Sequence, residues 1–388
     1  MKIKTLDEAA FVHGFSLPST LVLSAALALT CASAGARPRH QENETRYVPI
    51  NLVSDVAGVG QVQDTNLVNG WGISYHPTFP FWVSDNGTGV TTLYAVTNDA
   101  SGAPHASIVP LVVSIPGDGS VSGQVANNST EFNGDIFLFV SEDGTVSGWR
   151  PDLGNAAETL AMRQSAVYKG VTLATVGTNT LLLAANFHEG TIDLYRSGST
   201  TPTQFSDRTA PAGYAPFNVQ NLNGVIFVTF AKQDASARDD VAGSGRGLID
   251  VFDAHTGTFH RFAAGSRAGG HVSQMNSPWG LALAPSSFGE HANQLLVGNF
   301  GSGTIMTFDS NGHFEGLLER DEDRPVTIDG LWGLTFGADG GVSGVSTDLY
   351  FSAGPNGEQH GLFGVIQAVN GDDDDNRNGH GHGHGRNR

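Results

Sequence analysis

A tryptophan followed by glycine and then Ile or Leu occurs at Trp71, Trp279 and Trp332, and the spacing is regular. Trp279 and Trp332 lie 53 residues apart, and Trp71 and Trp279 lie 208 apart, four times 52. An internal period of this length constrains the fold strongly, because each unit must bury its apolar face against the next. The spacing demands six units, and the intervening sequence supplies them.

The first unit opens "GWGISYHPTFPFWVSDNGTGVTTLYAV" (70–96), and the fifth, "SPWGLALAPSSFGEHANQLLVGNFGSGTIMTFD" (277–309), follows the same order of apolar runs and turns. Between them lie "DIFLFVSEDGTVSGWRPD" (135–152) and "GVTLATVGTNTLLLAANFHEGTIDLYRS" (170–197). The fourth unit is "FNVQNLNGVIFVTFAKQD" (217–234), which resumes after an insertion as "RGLIDVFDAHTG" (246–257). The sixth runs from Leu331 to Val369. The runs are strand-length and rich in β-branched and aromatic residues, and the 51 glycines fall between them as turns. The pattern predicts an all-β, six-bladed β-propeller of four-stranded antiparallel blades. The sixth unit lacks a fourth strand, and "RYVPINLVSD" (46–55) is a strand without a partner. It is expected to complete the last blade and remove an exposed edge. The propeller then spans residues 46–369.

Residues 1–36 read as a signal peptide: Lys2 and Lys4, the apolar run "LPSTLVLSAALAL", then the small residues "TCASAGA". The apolar run is too short to span a bilayer. Cys31 is the single cysteine and would leave with this leader, so the mature chain is expected to hold no disulfide or thiolate site. Residues 370–388 form an Asp/Gly/His-rich tail expected to be disordered, with weak metal chelation by His380, His382 and His384 as its alternative role. A formal charge of −18 argues against nucleic-acid binding. Sequons at Asn43, Asn86, Asn127 and Asn128 suggest a glycoprotein if the host glycosylates.

In a propeller, the loop before each inner strand and the turn between the second and third strands share one face. Asn69, Asn276 and Asp329 precede tryptophans there, and Asn218 opens the fourth unit. Their oxygens suit a hard cation, with Ca²⁺ as the candidate cofactor. The turns contribute Asp85, Asn86, Asn186, Asn299 and His360 as ligand-binding candidates. Glu142 and Asp143 stand in the corresponding turn of the second unit. His188 beside Glu189 is the candidate acid–base pair. Asn and Asp are also the commonest turn residues for structural reasons alone. The three tryptophans are expected in the core, packed between blades, and the insertion "KQDASARDDVAGSGRG" (232–247) reads as a lid over the channel or a tolerated excursion. No serine-hydrolase elbow, zinc-protease, phosphate-loop or dinucleotide motif is present.

The pieces "DTNLVNGWGIS", "FWVSDNGTG", "EDGTVSGW", "AKQD" with "GLIDVFD", and "SPWGLALAP" with "LLVGNFGSGTI" resemble a family of uncharacterised secreted proteins, some carrying PEP-CTERM sorting tails. The resemblance implies an exported propeller and carries no established activity. This chain has neither Pro-Glu-Pro nor a terminal apolar helix, so release rather than anchoring is expected. The resulting expectation is a secreted, monomeric module that binds a small molecule or glycan at the channel mouth. The alternative is a metal-dependent lactonase or lyase using the same channel.

Overall fold

The structure, a computed structural model, describes residues 45–264, 274–321 and 324–370. The leader, Cys31, the Asn43 sequon and the His-rich tail lie outside the described residues. Six four-stranded antiparallel blades follow one another in chain order, the sixth extended at its outer edge by the short strand Val62–Gln63, which pairs parallel. Their inner strands are Gly70–Ser74, Val121–Ala126, Tyr168–Val176, Tyr214–Leu222, Pro278–Leu283 and Leu331–Phe336. Each inner strand lies against the next, and the sixth returns to the first, so the ring is closed. The protein is a six-bladed β-propeller.

Ring closure uses the early strand. Arg46–Ser54 pairs antiparallel with Leu362–Val369, from Arg46 opposite Val369 to Ser54 opposite Leu362. It completes the sixth blade after Leu331–Phe336 and Leu349–Ala353. Tyr47, fully buried, pins this strand to the fifth blade: its ring lies 5.0 Å from Phe288, and its hydroxyl donates to the Phe288 carbonyl at 3.1 Å. Blades elsewhere meet through large aromatics, as where Trp82 stacks on Phe137 with centroids 4.1 Å apart.

The pairing register breaks at the same place in all six inner strands. The equivalent residues there are Trp71, Ser122, Lys169, Phe217, Trp279 and Trp332. Glycine follows five of them, and close approach explains it. A Cβ on Gly123 would meet the Val171 nitrogen at 2.8 Å, and one on Gly280 would meet the Trp332 carbonyl at 2.4 Å. The inner strands touch here, at the waist of the channel. The tryptophans are core residues, but they pack on one another at the axis rather than between blades. Trp71 and Trp332 have centroids 3.9 Å apart, and Phe300 stacks on Trp332 at 3.9 Å. Trp279 and Phe217 lie 5.8 Å from Trp332. This buried plug divides the channel into two unlike ends. Among the described residues no helix is long and apolar enough to cross a membrane.

Candidate functional site

At one end the plug carries a charged network. Lys169 occupies the third blade's waist position, where three other blades place tryptophan. It is only 2% exposed, with its ammonium 5.1 Å from the Trp71 ring and 5.9 Å from Phe187. Burying an ammonium costs several kcal/mol unless it is paired. The pairing comes from Glu142, and more distantly from Asp239 at 3.4 Å. Glu142 also accepts from the Asn86 amide at 3.1 Å. Asn86 in turn accepts from Asn69 at 3.2 Å, and Asn69 donates to Glu358 at 2.7 Å. The Trp332 indole donates to the Asn69 oxygen at 3.0 Å, tying the network to the plug.

Backbone strain fixes two members of this network. Asn69 sits at φ 51°, and Asn356, Gly357 and Glu358 follow one another at 58°, 64° and 68°. Left-handed residues other than glycine persist only where the surroundings hold them, and they concentrate at functional sites. Here they turn the Glu358 carboxyl inward. Burial raises its pKa above the ordinary value, while Asn69 and Lys169 pull it back.

The fourth-blade insertion reaches the same place: Asp239 is its contact with Lys169. The insertion is fastened by the Gly243 amide donating to Asn276 at 2.5 Å and by Val241 donating to the Lys232 carbonyl at 2.7 Å. The insertion is thus anchored beside the mouth, with the Asp239 side chain largely exposed.

The four residues considered for a cation are not gathered into one ligand set. Asn69 lies two residues before its tryptophan, whereas Asn276 and Asp329 lie three before theirs, so their side chains diverge. Asn276 bonds Gly243, and the Asp329 carboxylate accepts from the Asn356 amide at 2.8 Å. Asn218 stands one residue past the waist, where five blades have glycine, and faces the opposite end of the channel. Its amide donates to the Trp279 carbonyl at 2.8 Å, and its oxygen accepts from the Val219 amide at 2.8 Å. Among the described residues no three His, Cys, Asp or Glu side chains converge as a metal site. The Lys169 ammonium already stands among the carboxylates. These residues do not fit Ca²⁺.

The turn candidates separate in the same way. Asn86 belongs to the network. Asp85 is fully buried, and among the described residues its oxygens have no well-formed hydrogen bond, with Thr92 beside them. Asn186 and Asn299 are buried and accept from the backbone amides of Val167 and Asn276. His360 pairs with Asp55 at 2.8 Å. Glu189 is held by Arg163 and Gln204, which outweigh burial and keep its carboxyl below the ordinary value. It is therefore committed to Arg163, while the neighbouring His188 is exposed. Of the sequons within the described residues, the Asn86 and Asn127 amides are bonded inside the fold, and Asn128 is exposed.

Sequence reasoning passed over Lys169 and Glu358. "KG" at 169–170 matches the "WG" of other units, and aligning the six waist positions exposes a lysine in an aromatic column. Glu358 had no such signal, because its direction depends on three successive left-handed residues.

No protein-family model matches the chain. It is similar to uncharacterised protein R648 of Acanthamoeba polyphaga mimivirus, 28% identical over 307 residues, covering 73% of this chain and 72% of that one. It is also similar to uncharacterised protein L690 of the same virus, 29% identical over 330 residues, covering 78% and 81%. Among solved structures it resembles a streptogramin B lyase, with a TM-score of 0.50 and 11% identity, covering 84% of this chain and 98% of that one. At that identity the likeness shows the fold alone.

Proposed function

We propose that this protein is an exported, monomeric binding module whose site is the charged mouth, and that its ligand is a hydroxyl-rich molecule such as a glycan. The observation that carries the reading is Lys169, a buried ammonium held over an aromatic floor and ringed by side chains of mixed hydrogen-bonding character. Glu142 and Glu358 accept, Asn69 and Asn86 both donate and accept, and left-handed backbone fixes the directions of Asn69 and Glu358. Hydroxyl groups, which do both, match such an array without bringing a net charge into it. Lys169 supplies the positive charge, so the reading needs no bound metal. Export rests on the leader read at residues 1–36.

Titration calorimetry with neutral cello-, xylo- and chito-oligosaccharides tests this. Binding of at least one is expected, unchanged by a chelator, and Lys169→Met should weaken it ten-fold or more. That variant leaves Glu142 without its counter-charge, so a stability loss of about 3–5 kcal/mol accompanies it. Asn69→Ala provides a second, uncharged lesion. Folded wild-type protein that binds none of these sugars would remove the reading.

A second reading has a specific observation behind it. Glu358 combines an inward carboxyl, a raised pKa and a nearby lysine, which is acid–base equipment. A lactonase or lyase working through Glu358 predicts that Glu358→Gln abolishes turnover while binding persists.

A further inference from the structure

We propose that the opposite end of the channel is a second binding site, separate from the charged mouth, for an uncharged amphipathic small molecule. A cavity of about 630 Å³ opens there, within the range of drug-sized ligand sites. All six inner strands contribute to its wall. The glycine waist and the tryptophan plug lie between it and Lys169, so neither Lys169 nor Glu358 reaches it.

The wall's chemistry defines the guest. Among the described residues, not one Asp, Glu, Lys, Arg or His side chain lines the cavity, although the chain carries 38 acidic and 20 basic residues. A charged guest would give up its hydration with nothing to replace it, which makes ions poor occupants. The exposed wall is mixed, slightly more polar than apolar, with Ile73 and Leu283 among its apolar lining and Asn221, Asn223 and Thr335 among its polar lining.

One buried polar group is spare: among the described residues the Ser74 hydroxyl has no partner, and the half-buried Gln220 amide lies on the same wall. Their neighbours differ: Gln124 is spent on Ser84 and the Gly72 carbonyl, and Asn218 on the Trp279 carbonyl. A buried hydroxyl left unpaired calls for a partner from outside the chain. A neutral molecule that combines an apolar face with several hydrogen-bonding groups matches both features at once. The site does not depend on the glycan reading of the mouth.

Fluorescence titration of the full chain tests the inference with two naphthylamine probes of similar size. One is neutral N-phenyl-1-naphthylamine, and the other is its anionic sulfonate, 1-anilinonaphthalene-8-sulfonate. The neutral probe is expected to saturate at one per chain and to bind at least ten-fold more tightly than the anion. Gln220→Glu, which places a charge on the wall, should weaken the neutral probe ten-fold or more. If that variant fails to fold, Leu283→Trp, at a lining position that is 40% exposed, should block the opening instead. Absence of saturable binding, equal affinity for the anion, or undiminished binding in the folded variants would overturn the proposal.

Discussion

Asp85→Asn should stabilise the protein, and the gain should grow with pH. Asp85 ends the second strand of the first blade, Phe81–Asp85, fully buried, and among the described residues Thr92 alone offers its oxygens polar contact, without a well-formed hydrogen bond. The same strand position is Asn186 in the third blade and Asn299 in the fifth, and both amides find backbone partners. Burial pushes the Asp85 carboxyl well above its ordinary value of 3.8; Asp64 adds to the rise and Thr92 opposes it. A folded pKa above the unfolded one means that Asp85's contribution is most favourable below pH 3.8 and is lost as pH climbs toward the folded pKa. As pH rises from the unfolded pKa toward the folded one, wild type loses stability that an asparagine does not, at up to about 1.4 kcal/mol per pH unit, so the variant's lead should widen. At pH 7 relief of the unsatisfied carboxyl should leave the variant ahead by about 1–3 kcal/mol. Urea unfolding followed by tryptophan fluorescence at several pH values measures both quantities. A gap that stays flat across that range, or a variant weaker at every pH, would refute the reasoning by showing an ionised and well-partnered Asp85.

Two further substitutions test the architecture. Gly280→Ala would place a methyl 2.4 Å from the Trp332 carbonyl, where backbone on both sides prevents relaxation. A loss of about 3 kcal/mol or more is expected by thermal unfolding, and a normal melt would show that the waist is looser than described. Tyr47→Ala removes the ring that pins the closing strand to Phe288, and should cost about 3–5 kcal/mol and promote aggregation in light scattering.

The ring was legible because its cause is periodic. Trp71, Trp279 and Trp332 set the repeat, and the partnerless run at 46–55 announced how the circle closes. Side-chain direction was not legible to the same degree. Asn69 and Asn276 look equivalent in sequence, yet a difference of one residue in their offsets sends them to different partners. Asn218 looked like a loop residue and is instead the side chain that replaces a waist glycine. His188 and Glu189 are adjacent in sequence, but Arg163, from the preceding blade's outer edge, takes the carboxylate. Lys169 is legible only when the six waist positions are set in one column, because a lysine before glycine carries no signal by itself.

The antiparallel pairing of Arg46–Ser54 with Leu362–Val369 has a consequence for biogenesis. A ribosome releases the opening strand more than three hundred residues before its partner. Blades one to five can assemble as they emerge, but the opening strand's backbone groups must wait, exposed, for the chain's final stretch. Any truncation that removes the partner leaves two sticky ends instead of one seam, and a nascent chain stalled late should depend on chaperones more than its largely finished sheets would suggest.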